Sequence, residues 1–324
     1  MPDADTRVGA ATLQADVVDF RIAVLLPCYN EEAAIAQTVA GFRVALPTAT
    51  IYVYDNNSRD RTVEVARAAG AVVRSERMQG KGAVVRRMFA DVDADVYVMA
   101  DGDATYDATS APKLVAKLLD EQLDMIVGSR VGEAVEAYRR GHRFGNKLLT
   151  GMLARLFGRS FTDILSGYRV FSRRFVKSFP SLSAGFEIET EITVHALELK
   201  MPCAEVPTPY YARPEGSASK LSTYGDGWRI LSTILTLYRI ERPLLYFGAF
   251  AAFLAALSIV LAVPLAITYA EIGLVPRFPT AILATGLMIL AALSFFAGLI
   301  LDTVVRGRRE VRRLAYLAHP APSR

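Results

Sequence analysis

The chain has only two cysteines, Cys28 and Cys203, and no C-x-x-C pair. A disulfide framework and a cysteine-based zinc site are therefore excluded, and both thiols are expected to be free in a reducing compartment. Its three histidines, His142, His195 and His319, are scattered and make no metal-ligand set. No G-x-G-x-x-G follows the first apolar run and no G-x-x-x-x-G-K-[ST] occurs anywhere, which argues against the dinucleotide and P-loop sites. A formal net charge of +4 is too mild to point to nucleic acid. Met1 to Asp19 lacks the apolar core of a signal peptide. Residues 1–20 read as a leader, and the main domain after it is expected on the cytosolic side.

What is present begins with Arg21 to Pro27, a compact apolar run of the kind that forms a buried parallel strand. Asn30, Glu31 and Glu32 then open a helix reaching about Ala45, with acids in its first turn. Strands are expected at Thr50–Tyr54, Ala71–Arg74, Val96–Ala100 and Met125–Gly128. Helices are expected at Ser58–Ala69, capped by Ser58 or Asp60, and at Gly80–Ala90 and Ala111–Glu121. Strands alternating with helices imply an α/β fold with a doubly wound, mostly parallel sheet. Polar residues stand just after the strands: Asn30, Asp55, Asp101, Ser129 and Arg130. Open sheets of this class bind ligands along that edge.

Asp101-Gly102-Asp103 directly follows an apolar strand. Two carboxylates so placed can share one hard divalent cation, Mg2+ or Mn2+, which in turn can bridge the phosphates of a nucleotide diphosphate. Alone, an Asp-x-Asp is also ordinary turn chemistry. Four strings in order sharpen the reading: Leu26-Pro27-Cys28-Tyr29-Asn30-Glu31-Glu32, Val53-Tyr54-Asp55-Asn56-Asn57-Ser58-Arg59-Asp60, Asp101-Gly102-Asp103 and Gly128-Ser129-Arg130. Together they resemble the family 2 glycosyltransferases of GT-A fold. Asp163-Ile164-Leu165-Ser166-Gly167-Tyr168-Arg169 and Arg213-Pro214-Glu215-Gly216-Ser217-Ala218-Ser219-Lys220 resemble the polyprenyl- and dolichyl-phosphate glycosyltransferase branch.

The resemblance implies that Pro27, Tyr29, Glu31 and Asp55 bind the nucleoside, and that Asp101 and Asp103 form the metal and diphosphate site. It implies that Arg130 and Arg143 approach the acceptor phosphate, and that Arg213, Ser219 and Lys220 clamp phosphates from a loop. Glu187 is implied near the donor sugar; Glu187, Glu189 and Glu191 would share a face as a strand and spread apart as a helix. Two departures stand out. Thr105 occupies a position where the branch often has Gln, and Asp55-Asn56 stands where Asp-Asp is common.

Two uncharged apolar stretches, Leu244–Ala270 and Thr280–Leu301, are each long enough to cross a hydrocarbon core of about 30 Å. The arginines from Arg306 to Arg313 follow the second, and the positive-inside rule places them in the cytosol. Residues 21–220 thus read as the GT-A domain, 221–243 as an amphipathic interface helix, 244–304 as two spans and 305–324 as a basic cytosolic tail. Trp228 and the Arg139-Arg140 pair are expected at the membrane interface. Small residues Gly286, Ala291, Ala292 and Gly298 suggest self-association of the spans, and the resemblance implies a tetramer.

The expected activity is inverting transfer of a hexosyl residue from a nucleotide-sugar, with UDP-sugars favoured, to a polyprenyl phosphate such as undecaprenyl or dolichyl phosphate at the inner or plasma membrane. A processive polysaccharide synthase is disfavoured: its Gln-x-x-Arg-Trp motif is missing, since the only tryptophan is Trp228. A non-catalytic membrane adaptor on the same fold is the alternative from another class.

Overall fold

The structure is a computed structural model and describes residues 20–131, 151, 161–181, 188–214, 236 and 239–322. Residues 1–19 of the leader, the Arg139-Arg140 pair and most of the interface segment, including Trp228, lie outside the described residues.

Among the described residues seven strands form one sheet in the order β3-β2-β1-β4-β6-β5-β7. β1 (Ile22–Cys28) pairs in parallel with β2 (Thr50–Asp55) and β4 (Val96–Met99), and β2 pairs in parallel with β3 (Val72–Ser75). β5 (Met125–Val131) pairs in parallel with β7 (Cys203–Pro209). Between β4 and β5 lies β6 (Arg169–Ser172), antiparallel to both. The sequence pattern predicts β1 to β5 and gives no sign of β6 or β7. β6 is a four-residue run with two apolar residues between an arginine and a serine and no alternation. β7 carries Pro207 and Pro209, which read as loop residues; a strand tolerates them because it lies at the sheet edge.

Alternate residues of each strand face opposite layers. Ala23, Leu25, Tyr97, Met99 and Phe171 enter one core, covered by α3 (Lys81–Asp91), α5 (Arg173–Ser178) and α6 (Ile188–Glu198). Val24, Leu26, Val96, Val98 and Val170 enter the other, covered by α1 (Ile35–Ala45), α2 (Thr62–Ala68) and α4 (Ala111–Asp120).

α1 and α2 begin later than their polar residues suggest. Asn30 has φ 52°, outside the helical region, and Asn30 to Glu32 are bonded to the 58–62 loop instead. Asn30 N–H donates to Ser58 Oγ at 2.8 Å, Glu31 N–H to Thr62 Oγ1 at 2.8 Å and Glu32 N–H to Asp60 Oδ2 at 3.1 Å. The acids and hydroxyls that read as helix starts therefore fasten two loops together, and neither helix has a side-chain cap.

Two long apolar helices close the chain: α7 (Pro243–Ile272) and α8 (Phe278–Leu317). Both are long and apolar enough to cross a membrane. The basic stretch expected as a separate tail is the last part of α8. Of the small residues expected to mediate self-association, Ala291 and Gly298 are used inside the hairpin, whereas Gly286 has open space beside it and Ala292 is exposed. Ala284, Ala291 and Gly298, spaced seven apart, are buried, and Gly298 admits Phe247 and the α7 backbone. Ser258 Oγ donates to the Ala284 carbonyl at 2.7 Å.

His195 of α6 sits against Phe175 and Phe179, with ring centroids at 5.4 and 5.3 Å. Burial, reinforced by the charge of Arg312, pushes its imidazole down to about 3. An unfolded chain takes up the proton near pH ~6.5, whereas the folded chain stays neutral there. This contribution to stability is complete above pH ~6.5 and is lost as pH falls from there toward the folded value, with a limiting slope of about 1.4 kcal/mol per pH unit. Melting temperature should fall from about pH 7 to pH 5 in the native chain and fall less steeply in His195→Gln; equal slopes would remove His195 as the cause.

Candidate active site

The parallel strands bring the ends of β1, β2 and β4 to one edge of the sheet. Cys28 pairs with Asp55, and the Asn56 N–H donates to the Cys28 carbonyl at 2.9 Å, so Pro27, Tyr29, Glu31 and Asp55 gather at that edge. Pro27 and Tyr29 are half-buried, whereas Glu31 and Asp55 are buried. Both Asp55 carboxylate oxygens accept from the Ser58 N–H at 3.3 Å, fixing the turn after β2.

Asn56 has a task that aspartate could not perform. Its amide donates to the carbonyls of Glu76 at 2.9 Å and Met78 at 2.7 Å, while its Oδ1 accepts from the Gly80 N–H at 2.7 Å. A carboxylate would lack the two donors. Asn56 thus secures the loop into α3, whose first residue is Lys81.

Lys81 carries no motif that singles it out in the sequence, and it lies at the centre of the site. Its Nζ is 2.5 Å from Asp101 Oδ1 and 2.5 Å from Glu189 Oε1, and only 10% of the Lys81 side chain is exposed. Burial opposes the ammonium charge, but the Asp101 and Glu189 carboxylates outweigh it and hold Lys81 above the usual lysine range. Glu189 and Glu191 both belong to α6, where Glu189 is buried and turned inward. The only sequence signal for Lys81 is its place between two glycines at a helix start; Gly80 has φ 126°.

Asp103 is bound from the other side. Its Oδ2 lies 2.8 Å from Arg213, and its Oδ1 accepts from Thr105 Oγ1 at 2.6 Å and from the Thr105 N–H at 3.2 Å. Burial, and next the charge of Asp101, raise the Asp103 carboxyl above the usual range despite the Thr105 and Arg213 contacts. Thr105, in the position where Gln is expected, holds the second aspartate in place. Gly102 between the aspartates is required by packing, because a Cβ there would collide with Cys28 Sγ.

A second loop roofs Asp101. A Cβ on Gly167 would lie 2.8 Å from Asp101 Oδ2 and 3.2 Å from Lys81 Nζ. The Gly167 N–H donates to Tyr106 Oη at 2.8 Å, and Ser166 Oγ donates to the Gly128 carbonyl at 2.6 Å. Buried Arg169 holds the same loop through the carbonyls of Ile164 at 2.6 Å and Ser166 at 2.9 Å, and donates to Thr193 at 2.9 Å. Burial lowers the Arg169 guanidinium to about 10. Arg130 is engaged by Asp163 through two bonds of 2.7 and 2.8 Å, and its guanidinium lies 5.6 Å from the Tyr210 ring centroid. The bonds from Arg130 overcome burial and hold Asp163 below the usual carboxylate range.

Among the described residues no group of three or more His, Cys, Asp or Glu side chains could hold a metal by itself. Asp101 and Asp103 nevertheless fit a hard cation that takes its remaining ligands from diphosphate and water. Their mutual repulsion, which adds to burial in raising the Asp103 carboxyl, is what such a cation would relieve. Arg143, Glu187, Ser219 and Lys220 lie outside the described residues.

Comparison with known proteins agrees with this geometry. The family description "Glycosyl transferase family 2" matches residues 23–179. An uncharacterized protein of Shigella flexneri is 56% identical over 155 residues, covering 48% of this chain and 95% of its own. Glycosyltransferase AglJ of Haloferax volcanii is 35% identical over 229 residues, 70% of this chain and 75% of the relative. A dolichyl-phosphate hexose transferase of the same organism is 29% identical over 222 residues, 68% of this chain and 95% of the relative. Among solved structures, glucosyl-3-phosphoglycerate synthase from Mycobacterium tuberculosis in complex with Mn2+ and UDP-glucose superposes with a TM-score of 0.54 at 25% identity, covering 68% of this chain and 78% of the other. With sheet, site and relatives in agreement, the chain belongs to glycosyl transferase family 2 and has its GT-A fold.

Proposed function

We propose that the protein transfers a hexosyl residue from a nucleotide-sugar, preferentially a UDP-sugar, to a polyprenyl phosphate at the cytosolic membrane face, with inversion at the anomeric carbon. The observation that carries this reading is the Asp101/Asp103 pair, set between Lys81 and Arg213 on a chain that runs on into two span-length helices. The dolichyl-phosphate hexose transferase relative and the UDP-glucose complex of the structural neighbour support the acceptor and the donor respectively.

Pro27, Tyr29, Glu31 and Asp55 receive the nucleoside at the ends of β1 and β2. Mg2+ or Mn2+ held by Asp101 and Asp103 would neutralise the charge that develops on the diphosphate leaving group. Lys81 and Arg213, already beside those carboxylates, add positive charge where the leaving group forms. A phosphomonoester has a second pKa near ~6 and brings its own anionic oxygen, so no strong general base is needed. The Arg130–Asp163 pair shapes the wall beside this space. Arg143, Ser219, Lys220 and Glu187 keep their proposed phosphate and sugar contacts. α7 and α8 cross the membrane and return the arginine-rich end to the cytosol.

Purified protein supplied with undecaprenyl phosphate, Mn2+ and radiolabelled nucleotide-sugars should move label into the organic phase from one UDP-sugar. Absence of lipid-linked label from every donor would sink the acceptor assignment. Asp103→Asn should lower transfer by roughly two to three orders of magnitude while leaving the melting temperature near that of the native chain. Lys81→Met leaves Asp101 and Glu189 facing each other and should cost about 3–5 kcal/mol in a denaturant titration. Adding Glu189→Gln should recover much of that stability without recovering transfer; recovery of both would make Lys81 purely structural.

A further inference from the structure

The inward face of α8 follows one repeat from the apolar hairpin into the catalytic domain. Ala284, Ala291, Gly298, Val305 and Arg312 lie seven residues apart, and Asp302, Arg309 and Tyr316 form a second row with the same spacing. All of these side chains are buried or half-buried. Through Gly298 the face is small and packs on α7. Beyond Val305 it becomes charged and aromatic, and its partners change to the domain.

Those partners are buried carboxylates. Arg309 donates to Glu198 Oε1 at 2.8 Å, to Glu241 Oε2 at 3.1 Å and to the Glu241 carbonyl at 3.1 Å. Arg312 pairs with the other Glu198 oxygen. The Glu198 and Glu241 side chains are 3% and 6% exposed. Further along, the Tyr316 hydroxyl donates to Asp124 Oδ2 at 2.8 Å. Arg174, which grips Asp124 itself, places its guanidinium 4.7 Å from the centre of the Tyr316 ring. Glu198 ends α6, Glu241 precedes α7 and Asp124 precedes β5, so the tail is fastened to three separate parts of the chain.

The basic cluster is therefore divided. Arg309 and Arg312 are turned into the domain, Arg306 pairs with Asp302 on its own helix, and Arg308 and Arg313 are exposed. At 1.5 Å per residue α8 is about 60 Å long, and a hydrocarbon core takes up only about 30 Å of it. A helix continuous through that boundary and bonded on one face throughout has no joint.

We propose that α8 is a rigid strut which fixes the height and tilt of the catalytic domain over the bilayer, and that Arg309, Arg312 and Tyr316 are positioning residues for a membrane-borne acceptor. This rests on the polyprenyl-phosphate reading above. A lipid phosphate is held at one depth by its chain, whereas a soluble acceptor can reach the site from any direction, so only the first depends on the strut.

The test uses the full chain in lipid nanodiscs. The variant Glu198→Gln/Glu241→Gln/Arg309→Gln/Arg312→Gln removes both sides of the clamp and leaves no buried charge unpaired; Tyr316→Phe is a milder companion. For the fourfold variant, kcat/KM on bilayer undecaprenyl phosphate should fall at least about ten-fold, and on a water-soluble short-chain prenyl phosphate by less than about two-fold. Equal losses on both acceptors, or no loss on either, overturn the positioning role. Backbone amide exchange over residues 302–317 should be slow in the native chain and at least about ten-fold faster in the fourfold variant; equal rates overturn the strut. If the native chain transfers to neither acceptor, the functional reading fails while the exchange experiment still decides the strut.

Discussion

Charge taken out of water has to be paired, and at the end of β4 this requirement organises the molecule. Asp101 and Asp103 stand one residue apart, partly or wholly withdrawn from solvent. Their compensating cations come from far away in sequence: Lys81 from the start of α3 and Arg213 from beyond β7. Lys81 is in turn shared with Glu189 of α6. The starts of α3 and α6 and the stretch after β7 are thus fixed to one pair of carboxylates. The surrounding architecture serves that arrangement. Asn56 secures the loop ahead of Lys81, Arg169 secures the loop over Asp101, and two glycines leave room where no side chain would fit. In the proposed reaction, a nucleotide diphosphate and its metal would enter a site whose charges are already oriented, which is how electrostatic stabilisation acts without reorganisation.

How much of this can be read from the sequence differs by element. β1, β2 and β4 are short, strongly apolar and punctuated by polar residues, so their existence and the common edge of Asp55 and Asp101 emerge from pattern alone. β6 and β7 do not. A four-residue strand gives no periodicity, and prolines in β7 are compatible with a strand only when the neighbouring strands are known. In the site, Asp101 and Asp103 are legible because two acids flanking a glycine directly after a strand are a local signal. Lys81 and Glu189 are not, since their meaning arises from a contact across 108 residues of sequence separation. Asn56 looks like a departure from a pattern; its two donors show why an amide is required there.

The C-terminal helices show the same division. Apolar length is plain in the sequence. The use of small residues within one hairpin is not, because a stripe of glycine and alanine reads equally well as a surface for another copy. The seven-residue spacing of Ala284, Ala291, Gly298 and Val305 is a local property that marks one face of α8. Only the partner along it, α7 first and the domain afterwards, needs the fold. His195 joins the two regions: its imidazole is kept neutral by the aromatic layer under α5 and by the arginine that α8 contributes.

The prolines at the outer strand have a consequence at the level of populations of molecules. Anchoring confines a protein to a surface, where neighbours meet far more often than in the same volume of water and in a narrower range of orientations. An open sheet edge is an invitation to pair under such crowding. β7 lacks backbone donors at Pro207 and Pro209, and β3, at the opposite edge, is four residues long and carries Arg74. Among the described residues, neither edge offers a long, continuous row of hydrogen-bonding groups, so crowding of such domains at a surface would find little purchase for edge-to-edge strand pairing.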